Sequence, residues 1–486
     1  MVHGGETEHN EIPARGASTA LTAEAPVAVP VPAHDTGRRG VARDLASAAA
    51  ARLSRSRGHI AVAVLYLAGA VAVLSRQWRD PAHTYLIGSG QDQHMWEWFF
   101  AETARAVSGP HNPLGTNLQN FPDGVNMMAN TASFGVGIPL TPVTLLFGPP
   151  VTFVLVLTLG LAGTGFAWYW LFARELVTSR SAAALGGLCC GFAPAMVSHG
   201  CAHPNFVLLA ILPMLLLRMI RLARRAAAGL PVPRVREAVW LALLVSLQIA
   251  LGEEPLLIFA VGFAVFAIGY YASEPATGRR ILRTLLPTLG LGALITLVVC
   301  AIPLWWQFFG PQSYQAIDHG PVGNDLDSLI QFPTESLGGK LAPGKPVAMN
   351  PTEENAYFGW PLLVLTTATT IWLWRARHRE HRVVRACATT ALVCGVLSLG
   401  ISLRIGRTDT GFILPWAALS HVPLLDTVLE TRFILAAVPA IAAILALATE
   451  RIIRYARIST TDIRPAVWFA ALALALIPLV PTALPV

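Results

Sequence analysis

The residues able to do acid–base or ligand chemistry are few in this 486-residue chain, and most lie between long apolar blocks. The richest stretch follows the first block: GSGQDQHMWEWFFAETARAV, then SGPHNPLGTNLQNFPDGVNMMANTA. Asp92 stands just after the Gly88-Ser89-Gly90 turn. A carboxylate there takes the proton of an attacking hydroxyl, or holds a divalent cation through oxygen. It is equally placed to cap the helix that follows. Asp92, Trp96 and Phe99 share a helical spacing, with His94, Glu97 and Trp98 on other faces. This predicts a short amphipathic helix on a membrane surface, its tryptophans at headgroup depth. His94 and Trp96, with Asn112, Asp123 and Asn126 in the polar loop, are its candidate substrate contacts. Asp123, in Pro122-Asp123-Gly124, also reads as a turn former.

Other polar groups interrupt the apolar blocks further on. Glu253 and Glu254 precede Pro255, as a solvated turn between two spans or as acids facing a cavity. His199 and His203 are four apart, the spacing that aligns two imidazoles for a metal on a helix. Gly200 and Pro204 argue against a regular helix through both, so a polar loop mouth is the alternative. Glu353 and Glu354, just before Trp360, are able to meet a sugar with the indole as a stacking platform; as loop residues they need only be solvated.

The elements that must position these groups are membrane helices. Hydrophobic residues make up 54% of the chain and charged ones 13%, against about 25% charged in soluble domains. A helix needs about 20 mostly apolar residues to cross the hydrocarbon. Stretches 59–78, 149–173, 181–198, 204–221, 237–252, 255–272, 284–308, 356–374, 384–403, 432–450 and 465–484 qualify. The segment 134–147 is too short and contains Pro139 and Pro142.

Basic clusters lie at Arg38–Arg57, Arg174–Arg180, Arg218–Arg236, Arg279–Arg283, Arg375–Arg385 and Arg451–Arg464. All fall on one side only if 134–147 is re-entrant or interfacial. The expectation is an all-α polytopic plasma-membrane protein with about eleven crossings and a cytoplasmic N-terminus. Residues 1–58 would form a disordered cytoplasmic tail and 59–486 the transmembrane domain, with outer segments 79–148, 309–355 and 404–431. The six cysteines lack C-x-x-C spacing and read as buried hydrophobes.

Several classes drop out. There is no G-x-x-x-x-G-K-[ST] loop for ATP-driven transport, no G-x-S-x-G elbow and no H-E-x-x-H. The net charge of +7 comes from short basic clusters at membrane boundaries, which gives no nucleic-acid footprint.

Taken together, Asp92 within GQDQHMWEWFF, the HNPLGTNLQNFPDGVNMM segment, the short apolar segment closed by Phe147-Gly148, and LPWAALSHVPLLDTVLETRF resemble the GT-C superfamily of integral-membrane glycosyltransferases. The likeness is to an actinobacterial-type branch and covers most of 59–450. It implies a GT-C-like bundle that transfers a sugar, with inversion, from a polyprenyl-phosphate sugar to a glycan or lipid acceptor of the cell envelope. Asp92 matches the family's loop-one acid, a base or a ligand to a divalent cation (Mg or Mn). Many members pair two acids in this loop; here no adjacent pair occurs and Glu97 is the nearest substitute. In the family's "R-x-x-R-F" stretch this sequence has Glu430 and Arg432, so the first basic position is missing, leaving Arg432 to clamp the donor phosphate, or else to anchor the helix at the interface. Arg404 and Arg407 are second candidates. A transporter or flippase of a lipid-linked sugar, and a catalytically inactive relative serving as a scaffold, are the competing readings.

Overall fold

The computed structural model describes residues 57–129, 132–313, 322–375, 380–458 and 461–486. The expected N-terminal tail lies almost wholly outside the described residues. What is described is a helical bundle with two small hairpins. A helix occupies every stretch expected to cross. Among the described residues, five helices are long and apolar enough to span a membrane: Pro149–Glu175, Pro204–Ala227, Glu253–Tyr271, Pro275–Val299 and Glu430–Ile458. The remaining expected spans are shorter or more broken. The stretch 181–198, for example, divides into Arg180–Gly191 and Pro194–His199, with Pro194 opening the second helix. The segment 134–147 forms Phe134–Gly137 and Thr141–Phe147. At about 1.5 Å per residue, neither reaches across the hydrocarbon.

The bundle is built around the helix Ile434–Ile458, whose apolar window is entirely buried. Its sequence, ILAAVPAIAAILALATERII, carries alanine on every face, so neighbouring backbones approach closely. The helices Arg180–Gly191, His381–Leu397, Trp360–Arg375 and Glu253–Tyr271 pack around it. A smaller apolar cluster of Leu222, Ala226, Leu241, Ile281 and Leu285 joins the helices Ile211–Ala227, Arg234–Leu251 and Pro275–Val299.

The helix Asp92–Ser108 departs from expectation in its surroundings. It packs against Pro149–Glu175 and Thr141–Phe147, and Trp96, Phe99 and Phe100 are buried in the main core. The periodicity located the apolar stripe, but protein rather than headgroups covers it. The polar loop that follows is a short antiparallel pair, Gly115–Thr116 with Val125–Asn126. Gly124 has φ +80° and lies so close to the Thr116 carbonyl that a Cβ would meet it at 2.7 Å. Asp123 is exposed in that turn. A second hairpin, Ser402–Ile405 with Thr408–Ile413, ends the expected span 384–403 and begins the segment 404–431.

Glycines let the helices Pro149–Glu175 and Arg180–Gly191 pack closely. A Cβ on Gly191 would meet Gly165 Cα at 2.7 Å and the Leu161 carbonyl at 2.9 Å, whereas one on Gly163 would meet nothing within 4 Å. Backbone cannot move aside as a side chain can. Gly191→Ala should therefore lower stability by about 1–3 kcal/mol, and Gly163→Ala should leave it unchanged or slightly raised. Thermal unfolding in detergent checks the pair; equal melting temperatures would contradict the packing.

Candidate functional site

Four stretches distant in sequence meet beside Asp92. The first is its own turn. Gly90, at φ +56°, ends the Ile87–Ser89 turn, and Gln93 fixes the entry by accepting from the Leu86 N–H at 2.9 Å. Asp92 is the first helical residue, and no side chain caps this end. Its carboxylate instead meets His203: Asp92 Oδ2 lies 3.1 Å from His203 Nε2.

The second stretch carries both histidines. The helix Pro194–His199 ends at Gly200, and the His203 N–H still donates to the His199 carbonyl at 2.8 Å. Pro204 then starts a new turn, which keeps His203 out of the helical region. A tight turn thus does what a regular helix would have done, with His199 Nδ1 2.9 Å from His203 Nδ1. His199 is fully buried. Its burial outweighs the opposite pull of Glu353 and holds its pKa well below the ordinary imidazole value.

The third stretch brings Glu353. Asn350 caps the turn Pro351–Glu353 by accepting from the Thr352 N–H, and Asn355 Nδ2 donates to Glu353 Oε2 at 2.6 Å. Glu353 Oε1 lies 3.9 Å from His203 Nδ1. Burial alone would raise this carboxyl, but Arg432 and the two histidines overcome it and hold it at about 2. The fourth stretch is Glu430–Phe433, at the head of the central helix. Arg432 donates from Nη2 to Glu353 at 2.5 Å and from Nη1 to Glu254 at 2.7 Å. Its guanidinium lies over Phe206, 4.4 Å from the ring centroid, and His199 stacks on the same phenyl ring at 4.7 Å.

Of the residues singled out in the sequence, the fold brings Asp92, His199, His203, Glu254, Glu353 and Arg432 into one cluster. The others lie apart from it. Glu97 accepts from Gln93 Nε2 at 2.7 Å, and burial raises its carboxyl above the ordinary value. His94 is exposed against Tyr85, and Trp96 is 2% exposed in the core. Asn112 closes a local turn onto the Leu114 N–H, while Asn126 ties its loop to the Trp306 carbonyl at 2.8 Å. Glu354 is taken up by the Thr334 N–H and hydroxyl. Trp360 is 53% exposed at the start of its helix, and Arg404 and Arg407 belong to the second hairpin. Phe206, Asn355 and Thr431 join the cluster without any signal in their spacing.

Glu254 and Glu353 share the single guanidinium of Arg432 while Asp92 meets only His203, so the cluster holds more carboxyl groups than arginines. His199, His203 and Glu353 each offer a ligand atom, all within 4.8 Å of one another. His199 Nε2 is buried without a hydrogen-bond partner among the described residues. This donor set and charge fit a divalent cation. Two imidazoles beside carboxylates suit manganese better than magnesium, which prefers oxygen alone.

The chain matches no protein-family model and no curated protein sequence. Among solved structures, it resembles the archaeal oligosaccharyltransferase AglB of Archaeoglobus fulgidus, in complex with an inhibitory peptide and a dolichol-phosphate. The TM-score is 0.53 at 12% identity, over 88% of this chain and 56% of that one. A second structure, the Archaeoglobus fulgidus oligosaccharyltransferase tethered to an acceptor peptide containing the NVT sequon, gives 0.50 at 12% identity, over 87% and 54%. The chain thus spans about half the length of these structures, and the likeness is one of fold.

Removing Arg432 should leave two acids without their partner, one of them almost completely buried. Arg432→Gln is expected to cost about 3–5 kcal/mol. Adding Glu254→Gln and Glu353→Gln should return most of it. Unfolding of the single and triple variants in detergent tests this, and a triple variant no more stable than the single would refute the ion cluster.

Proposed function

We propose that the chain is a GT-C-like membrane glycosyltransferase that moves a sugar from a polyprenyl-phosphate sugar to a glycan or lipid acceptor on the outer face of the plasma membrane. The eleven-crossing arrangement with a cytoplasmic N-terminus is part of this reading, since it puts the Asp92 cluster outside. The observation that carries it is the Asp92–His203 contact at the edge of the buried ion cluster, within a fold resembling that of an oligosaccharyltransferase.

Asp92 is the most open member of the contacts that define the cluster, at 29% side-chain exposure, against 14% for His203 and 1% for Glu353. The acceptor meets the protein at this carboxylate. Its hydroxyl oxygen attacks the anomeric carbon from the face opposite the phosphate, with inversion. The new carbon–oxygen bond forms as the bond to the phosphate oxygen breaks, and polyprenyl phosphate leaves with that electron pair. The hydroxyl proton passes to Asp92. His203 orients the carboxylate through Nε2 and is held in turn by His199 and Glu353.

Arg432 acts from behind. Its contacts with Glu254 and Glu353 make it a positioning residue for the cluster rather than a clamp on the donor. A divalent cation held by His199, His203 and Glu353 would supply positive charge beside Asp92 that stabilises the leaving phosphate.

The test is transfer in liposomes, with a panel of radiolabelled polyprenyl-phosphate sugars and a crude envelope extract as acceptor. Label should move to the acceptor, fall at least about 100-fold in Asp92→Asn, and fall on chelation with recovery on adding manganese. A fully active Asp92→Asn would remove it from the mechanism. Absence of both transfer and donor binding across the panel would overturn the enzyme reading.

A further inference from the structure

A second cluster of charge lies at the other end of the bundle and has no part in this chemistry. Arg279, Arg280 and Arg283, with Ala276 and Thr284, line an open groove of about 430 Å³ at the start of the helix Pro275–Val299. That helix is about 37 Å long by its 1.5 Å rise. Its far end leads to Trp306, whose carbonyl meets the loop after the Asp92 helix. The groove and the candidate site are therefore on opposite faces.

Two features make these arginines unusual. The described basic clusters at Arg218–Arg236, Arg375–Arg385 and Arg451–Arg464 each include an arginine paired with a carboxylate: Arg221 and Arg224 with Glu175, Arg218 and Arg236 with Glu237, Arg382 with Glu274, Arg454 with Glu450, Arg464 with Asp462. Among the described residues, Arg279, Arg280 and Arg283 have no side-chain partner. Arg279 and Arg283 are also like charges one turn apart. An anion between them relieves that repulsion. Its chemistry follows from what adjoins the groove. Leu282 and Leu286, at 56% and 59% exposure, continue along the helix, with Gly290 leaving open space above them and Leu294 and Leu297 beyond.

We propose that this groove binds an anionic glycerophospholipid. Arg279, Arg280 and Arg283 hold the phosphodiester and its anionic headgroup, and the acyl chains follow Leu282, Leu286 and the gap at Gly290. Guanidinium forks bind phosphate through paired hydrogen bonds, and the leucines separate a lipid from free phosphate. The site is independent of the proposed transfer reaction.

The experiment is native mass spectrometry of the full chain released from detergent containing phosphatidylglycerol or phosphatidylcholine, without any sugar donor. The expected result is retention of at least one phosphatidylglycerol in preference to phosphatidylcholine. Affinity should fall on the order of fivefold for Arg280→Gln or Arg283→Gln, and on the order of a hundredfold when Arg279, Arg280 and Arg283 are all changed to Gln. The single variants carry the test if the triple variant does not fold. Equal retention of the two lipids, retention unchanged in the variants, or displacement of the lipid by millimolar inorganic phosphate would each overturn the proposal.

Discussion

Arg432, held between Glu353 and Glu254, is the contact on which the arrangement around Asp92 depends. It joins the head of the central helix, the turn at Pro351–Glu353 and the first turn of the helix Glu253–Tyr271. Each charge alone would resist removal from water, and the three are stable together because each ion answers another. The consequence is geometric as well as energetic. With Glu353 fixed by Arg432 and Asn355, His203 has a fixed anion on one side and Asp92 on the other. Phe206, between Arg432 and His199, ties the ion cluster to the imidazole pair.

That arrangement also settles how positive charge is shared. An arginine committed to two carboxylates has little left for an incoming phosphate, and the surrounding acids would repel one. On the proposed reading, transfer at this site needs another source of positive charge near Asp92, which is where the imidazoles and the open carboxylate lie. The same excess of acid that makes Arg432 a poor donor clamp makes the cluster a good one for a cation.

Much of the architecture was legible in the chain because apolar blocks must become helices once they leave water. Every block expected to cross contains a helix, and 134–147, with Pro139 and Pro142, forms two short helices rather than a regular span. The side that each helix buries was harder to read. Trp96 and Phe99 mark a stripe, but periodicity does not say whether lipid or protein covers it, and here it is protein. The turn between His199 and His203 shows the converse. Gly200 and Pro204 do break the helix, yet the backbone bond from His203 to His199 keeps the imidazoles together. The pairing of Arg432 with Glu254 and Glu353 joins residues far apart in the chain, which no local pattern encodes.

The loop after the first apolar block has no adjacent acid pair. What a cation or an acceptor meets is not adjacency in sequence but the distance between ligand atoms and the charge around them. Asp92 has no acidic neighbour in its own loop, and Glu97 is directed instead to Gln93. A second acid is nevertheless close, because Glu353 reaches the cluster from the far half of the chain and shares His203 with Asp92. On the proposed reading, the partner of the loop-one acid has been moved to another loop. The buried Arg432 is what makes that placement stable, by keeping Glu353 ionised where an isolated carboxyl would take up a proton.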